Sequence, residues 1–458
     1  MTRKPVLRRA LVVLPAAAAL VLSACSDGGG SAQSSASTRI PQATRAQLAA
    51  ANLDIPLAPL SERVDLAAPS FSNPTEITNP LFPIGEMPSA ILSGTVDGKD
   101  FKTETTLLPE TRIIEWRGRQ IEALVSQYVA YLDGRIEEVA LDFYAQADDG
   151  SVWYLGEDVF NYHDGFIGDT EGTWLAGREG PPALIMPAEP KVGDVYRPEN
   201  VPGLVFEEVK VKAVDRTVRG PHGPVDGAIV AGELHQDGTR EDKIFAPGYG
   251  EFHTASGGDV EAMTLAVPAD GLPGPVPAEL EGLSGGAVTV FRQAGSEEWR
   301  SASATVRKMT GDWTAFRTGE VPPRLEARMR RALDALVTAV GRKDPTGARY
   351  ASLRVAQAGL DLELRHRPPT EIDRERFGLW ARQLVLDSAA GAEAGARGDL
   401  ATLEWIRDRF IHSVDKVGAT RIDAHLVELR TKLNDGDLRG AATEAAGLVD
   451  TVARAGSP

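Results

Sequence analysis

The sequence predicts an α+β protein in two consecutive parts: an antiparallel, hairpin-rich β domain over residues 69–268 and an all-α helical bundle domain over 287–454. Three observations carry this reading. Six Asp-Gly dipeptides punctuate short runs of Val, Ile, Tyr, Trp and Thr in the first part, and Asp-Gly tolerates the positive φ of the turns that join antiparallel strands. In the second part apolar residues recur at three and four, as in Leu325, Met329, Leu333, Leu336 and Val340, the period of one helix face. Between them, "VPADGLPGPVPAELEGLSGG" carries four prolines and five glycines, so residues 269–286 read as a linker.

Taken from the start, Arg3, Lys4, Arg8 and Arg9 precede an apolar run, Ala10 to Leu22, which ends in "LSAC" at Cys25. That is the layout of a bacterial export signal. About 13 residues make roughly 20 Å of helix, short of the about 30 Å of a hydrocarbon core, so the run is a signal over residues 1–24 and not a span. "LSAC" resembles the lipobox of bacterial lipoproteins, cut before a cysteine that carries diacylglycerol. The resemblance implies a mature chain that begins at Cys25, lipid-anchored to the cell membrane and extracytoplasmic. Acyl chains of this kind hold a protein at a bilayer through about 0.8 kcal/mol per buried methylene. Residues 25–68, opening "CSDGGGSAQSSAS", read as the lipidated cysteine and a flexible tether. Cys25 is the single cysteine, which excludes an internal disulfide and any Cys-rich metal site.

In the β domain the turns are expected at Asp97-Gly98, Asp133-Gly134, Asp149-Gly150, Asp164-Gly165, Asp226-Gly227 and Asp237-Gly238. Folding "DFYAQADDGSVWYLGEDVFNYHDG" on a two-residue loop at Asp149-Gly150 sets Asp142 opposite Glu157, Tyr144 opposite Leu155 and Gln146 opposite Trp153. It also gathers Phe143, Ala145, Ala147, Val152 and Tyr154 on a core face. Folding on Asp164-Gly165 sets Asp158 opposite Glu171. Like charges directly opposed cost some tenths of a kcal/mol up to about 1, and residues 136–171 hold ten acids with no Lys or Arg. A neutralising partner is therefore expected: a bound cation, a raised carboxyl pKa, or an arginine of a neighbouring strand such as Arg112, Arg117 or Arg135.

The residues that would form such a site are Asp142, Tyr144, Trp153, Glu157, Asp158, His163 and Asp164, an acidic, aromatic-lined set suited to Ca²⁺ or to a cationic or polyhydroxylated ligand. Set against it is a plainer reading, solvated hairpin faces with cross-strand ion pairs and a register-changing bulge at Gly156. "YAQADDGSVWYLGED" resembles a pattern of uncharacterised secreted and envelope proteins of bacteria, as do "MPAEPKVGDVYR" and "FAPGYGEF". That family has no known activity to lend.

In the second part helical runs are expected within "PPRLEARMRRALDALVTAVGRKDP", which Gly341 and Pro345 end, and over about 287–315, 346–366, 371–396, 399–416, 420–433 and 437–454, with Asp399 and Asp437 as N-caps of two helices that open alike, "GDLATLEW" and "GDLRGAAT". Short connections predict an antiparallel bundle with Trp299, Trp313, Trp380 and Trp405 in its core. "HLVE" places His425 and Glu428 one turn apart, the spacing of a bundle metal ligand pair, but it occurs once and fits a salt-bridged surface histidine.

Net charge is −16, and it is uneven: residues 285–458 hold 27 basic and 24 acidic side chains, leaving 22 and 41 for the rest. An acidic first half disfavours nucleic acid and anionic lipid. No GxSxG elbow, P-loop, dinucleotide fingerprint or HExxH is present. The function expected is therefore a non-catalytic envelope lipoprotein that binds a ligand or partner. The alternative is a carboxylate-dependent extracytoplasmic hydrolase, which a cleft holding two carboxylates in unlike environments would favour.

Overall fold

The computed structural model describes residues 39–456, apart from 44 and 52–54. The export signal and Cys25 lie outside the described residues. After a short helix α1 (Arg45–Ala50), fourteen strands follow: β1 (Ser89–Val96), β2 (Lys99–Trp116), β3 (Arg119–Leu132), β4 (Arg135–Gln146), β5 (Val152–His163), β6 (Phe166–Asp169), β7 (Trp174–Leu175), β8 (Ala183–Met186), β9 (Val195–Val201), β10 (Val205–Gly220), β11 (Gly223–His235), β12 (Arg240–Ala246), β13 (Gly250–Ser256) and β14 (Asp259–Val267). Eight helices follow: α2 (Ala278–Gly295), α3 (Trp299–Phe316), α4 (Pro323–Gly341), α5 (Pro345–Glu363), α6 (Pro369–Ala389), α7 (Glu393–Phe410), α8 (Lys416–Asn434) and α9 (Leu438–Arg454). The fold is α+β, an antiparallel β domain followed by a helical domain, as the two periodicities require.

All strands belong to one antiparallel sheet, ordered β6-β5-β4-β3-β2-β1-β14-β13-β12-β11-β10-β9, with β7 and β8 paired to β5. The sheet curls, so that Val125, Phe143 and Tyr154 from one arm share a single core with Val209, Ile229 and Phe245 from the other. Four of the expected Asp-Gly turns join strands at a tight reversal with positive φ at the glycine: Gly98, Gly134, Gly165 and Gly238. Arg117-Gly118 makes the same turn between β2 and β3. Asp226-Gly227 does not reverse the chain. It lies inside β11 at a register irregularity against β10, where Asp226 accepts a 2.6 Å hydrogen bond from Thr217 Oγ1.

At Asp149-Gly150 the loop is one residue longer than expected. Ala147 pairs with Ser151, which leaves a three-residue loop closed by Gly150 at φ 88°. Tyr144 then meets Tyr154 and Gln146 meets Val152, but a bulge at Gly156 restores the expected register, and Asp142 does face Glu157. Only glycine fits at 156: φ is 124° and a Cβ would stand 2.3 Å from the Trp174 carbonyl oxygen. Asp158 does not face Glu171. Its partner across the ladder is Leu141, and β6 pairs further along β5, at Asn161 to His163.

The helices cover the outer face of the sheet. Ile91, Leu265 and Val267 pack into the core of α2 to α6, and Val129, Tyr131, Ile136, Val139 and Tyr162 into that of α6 to α9. Trp380 stacks on Tyr131 at 5.6 Å, and Trp405 Nε1 donates to the Tyr162 hydroxyl at 2.8 Å. A buried charge network joins the two domains. Arg409, its side chain fully buried, donates to Glu104 at 2.6 Å and Gln127 at 2.5 Å, while Arg376 donates to Asp361 at 2.7 Å and Asp373 at 3.0 Å. Burial raises the Glu104 carboxyl, but the charges of Lys102, Arg376 and Arg409 outweigh it and hold it well below the usual range.

Three helix boundaries differ from expectation. The stretch read as linker through 286 is helical from Ala278, with Leu280, Leu283, Ala287 and Val290 buried at helical spacing, and Gly286 leaves room for Met309, whose Cγ would be 2.7 Å from an added Cβ. The run 287–315 breaks into α2 and α3 at Ser296–Glu298. Asp399 is not an N-cap. It sits in mid-α7, fully buried, with Arg135 Nη1 at 3.1 Å and Gln383 donating at 2.9 Å. Asp437 does cap α9, accepting from Gly440 N.

Candidate functional site

A strap over residues 69–88 crosses the mouth of the curled sheet. Its N-terminal part is held at the β4–β5 turn, where Asp148 accepts from Ser70 Oγ and Ser72 N at 2.7 Å each, and Gln146 Oε1 from Thr78 N and Asn79 N at 2.9 Å each. Its other end reaches the β12–β13 turn, where Gly248 N donates to the Pro80 carbonyl at 2.9 Å. Phe82 leaves the strap to meet Tyr144 edge-on at 4.9 Å.

Beneath the strap is a cavity of about 130 Å³. Phe82, Ile84 and Met87 roof it, and Leu92 and Met263 contribute apolar floor. The remainder is polar, and strand register explains how. Successive ladder partners on the concave face are Asp142 with Ser126, Thr105 with Tyr128, Thr254 with both Lys243 and Glu261, Glu233 with Glu241, and Glu207 with His235. Since side chains alternate between faces, these residues form one polar belt from β4 round to β10.

Within the belt, His235 lies between two carboxylates, its Nδ1 3.1 Å from Glu207 and its Nε2 3.5 Å from Glu241. Lys243 Nζ is 2.7 Å from Glu233 and 3.4 Å from Glu241. Burial lowers the basicity of His235, yet the hydrogen bonds and charges of these acids push it up to about 11. Burial raises Glu207 too, but hydrogen bonds with Glu233 and His235 hold it well below the carboxylate range, while burial and the Glu207 charge drive Glu233 well above it. Glu261 is pushed up to about 8, first by burial and then by the Glu251 charge, against the hydrogen bond it accepts from Thr103 Oγ1 at 2.5 Å.

The acids, hydroxyls and imidazole can do two things chemically: hold a polar or charged ligand group, or relay a proton between unlike carboxyls. Glu207, Glu233 and His235 also bring one donor atom each within 4.8 Å of one another, a set able to contact one metal ion.

The seven residues expected from the sequence are not gathered in one place. Asp142 and Tyr144 line the cavity, and Asp142 accepts a 2.5 Å hydrogen bond from Tyr154. Glu157 is buried opposite Asp142. Trp153 is buried with its Nε1 donating to Ser151 Oγ at 2.9 Å. Asp158 pairs with Arg112, one of the arginines named from the sequence as neutralising. His163 and Asp164 are exposed at the β5–β6 turn, where His163 lies 3.6 Å from Asp169. The seven residues thus do not form one cluster, and a convergence of carboxylates lies instead on β10 to β14. His425 is a salt-bridged histidine, but its partner is Glu444 at 2.5 Å, not Glu428. No protein-family model matches the chain, and no curated protein sequence matches it either.

Proposed function

We propose that this is a lipid-anchored extracytoplasmic binding protein that takes a small ligand in the strapped cavity. The observation that carries the reading is a partly open cavity with an apolar roof on one side and convergent polar groups on the other, the usual composition of a small-molecule site. An apolar cavity of about 150 Å³ accepts benzene, so about 130 Å³ suits a compact ligand. The charged N-terminus, short apolar run and "LSAC" support export and anchoring through Cys25. None of the helices among the described residues is long and apolar enough to cross a membrane. Native mass spectrometry of protein purified from its host tests the binding. A mass increment absent from an Ala90→Phe variant, which fills the cavity, is expected, and no increment together with no hit in a millimolar fragment screen would overturn it. Cys25→Ser is expected to release the protein from membranes; retention would remove the anchor.

One observation favours a carboxylate-dependent hydrolase as a second reading: Glu207 and Glu261 occupy one cavity in opposite protonation states at neutral pH, the division of labour an acid and a base need. Binding remains the better reading because Glu207 is already engaged by His235 and Glu233. Turnover of a glycoside or ester library that is lost in both Glu207→Gln and Glu261→Gln would reverse this preference.

A further inference from the structure

The helical domain carries a second cavity, a cleft of about 510 Å³ between α2, α5, α6 and α9, within the roughly 300–1,000 Å³ of small-molecule sites. It follows the seam between the two apolar cores of that domain. Ala356, Leu360 and Leu379 line it from the core of α2 to α6, and Val449 and Val452 from that of α6 to α9. On the α2 side Val288 lines it and is 38% exposed.

Three arginines share this apolar cleft, and two are engaged. Arg367 pairs with Glu363, Glu371 and Glu375, which compensates the two acids that line the cleft, Glu371 and Glu375. Arg374 is tied through Nη2 to the carbonyls of Val452 and Ala455 at the end of α9. Arg382 differs. It is half-buried, forms no ion pair among the described residues, and donates only through Nη1, to the Gly378 carbonyl at 2.8 Å. Its Nε–Nη2 edge stays free, and such an edge takes a carboxylate through two parallel hydrogen bonds. Burial lowers its basicity, opposed by the charge of Asp450, which is itself paired with Arg454 at 3.2 Å.

Two glycines point to the same place independently, since glycine weakens a helix interior and calls for a local reason. In α2, Gly282 and Gly286 have one: an added Cβ would stand 2.5 Å from Asp312 Oδ2 and 2.7 Å from Met309 Cγ. Gly285 has none in packing. It lines the cleft, and a Cβ there would meet nothing within 4 Å. In α6, a Cβ at Gly378 would stand 3.3 Å from Arg382 Nη1, so the missing side chain seats the guanidinium. One glycine leaves the cleft its width and the other beds its cation.

We infer that this cleft is a second ligand site, apart from the strapped cavity, and that it takes a fatty acid of medium chain length. The carboxylate lies on the free edge of Arg382 and the chain along Val288, Leu360, Leu379 and Val452. One free guanidinium edge matches one singly charged carboxylate, whereas a phosphate dianion would call for a second unengaged cation. The alkyl chain covers apolar surface that is otherwise in contact with water.

Calorimetric titration of the purified protein with octanoate, octan-1-ol and octylamine at neutral pH tests this. Octanoate is expected to bind at least about tenfold more tightly than octan-1-ol, as a charge-assisted pair implies, and octylamine more weakly than either. Arg382→Gln should erase the advantage of octanoate and leave octan-1-ol within about twofold. Gly285→Leu puts a side chain into the open space and a better helix former into α2, so it should abolish binding of both without lowering the melting temperature. Octan-1-ol or octylamine binding as tightly as octanoate would overturn the carboxylate. Octanoate binding that is unchanged in Gly285→Leu, or absent from the wild type, would overturn the site. Neither Gly285 nor Arg382 lines the strapped cavity, so failure here and failure of the strapped cavity as a site are separate results.

Discussion

Glu261→Gln also probes the polar belt with no ligand present, and the structure sets both sign and size. Burial and the neighbouring Glu251 charge raise this carboxyl from 4.5 to about 8 in the folded protein. Below about pH 4.5 it is protonated in both states and costs nothing. Between that pH and about 8 the unfolded chain has lost a proton that the native chain keeps, so stability falls as pH rises, and above about 8 the loss is complete. At about 1.36 kcal/mol per unit, the interval amounts to roughly 4 kcal/mol between about pH 5 and pH 9. Glutamine accepts the same Thr103 hydrogen bond without the ionisation. The difference in stability, variant minus wild type, should therefore grow by roughly that amount across the range, while titrations elsewhere cancel. Urea unfolding at fixed ionic strength, with m determined for each protein, measures it. A difference that stays flat within about 1 kcal/mol from pH 5 to 9 would refute the picture of Glu261 as a buried, protonated acid.

Four further outcomes follow from particular contacts. Arg409→Met removes one of the three cations around Glu104 and the donor to Gln127 in the domain junction and should cost about 1–3 kcal/mol in urea unfolding. Arg430→Met, which breaks a surface pair with Glu404, should cost under about 1 kcal/mol. Gly94→Ala would place its Cβ 1.6 Å from the Val260 carbonyl oxygen. The β1–β14 ladder has to move, so a loss above about 3 kcal/mol is expected, read as a collapsed melting transition by circular dichroism. Arg112→Ala removes the partner of Asp158, but both side chains are about a third exposed, so the melting temperature should fall by only a few degrees, equivalent to about 1 kcal/mol.

How legible the molecule was depends on how local each signal is. The tight turns at Asp97-Gly98, Asp133-Gly134, Asp164-Gly165 and Asp237-Gly238 needed only the conformational preference of two adjacent residues, and the α2 to α9 periodicity only a window of two or three turns. The Asp142–Glu157 opposition was correct because the extra loop residue and the Gly156 bulge cancel, a compensation that hairpin arithmetic does not contain. The same arithmetic on Asp237-Gly238 sets Glu233 opposite Asp242, whereas a three-residue loop closed by His235 N and the Thr239 carbonyl pairs it with Glu241. Density on a hairpin measures charge, not convergence.

The sequence by itself determined the order of the two domains, the positions of most turns and the strand and helix character of each segment, since these rest on backbone preference and on apolar period within one segment. Only the tertiary structure decided which polar residues meet. Glu104 and Gln127 stand on strands and are buried under helices, because a strand whose outer face is roofed by another domain keeps its polar groups and pairs them there, and Asp399, expected as an N-cap, is buried within α7. The concave cavity has the same origin: curling of the sheet brings β4 against β10 to β14 from more than 60 positions away, a distance over which no local pattern in the chain carries information.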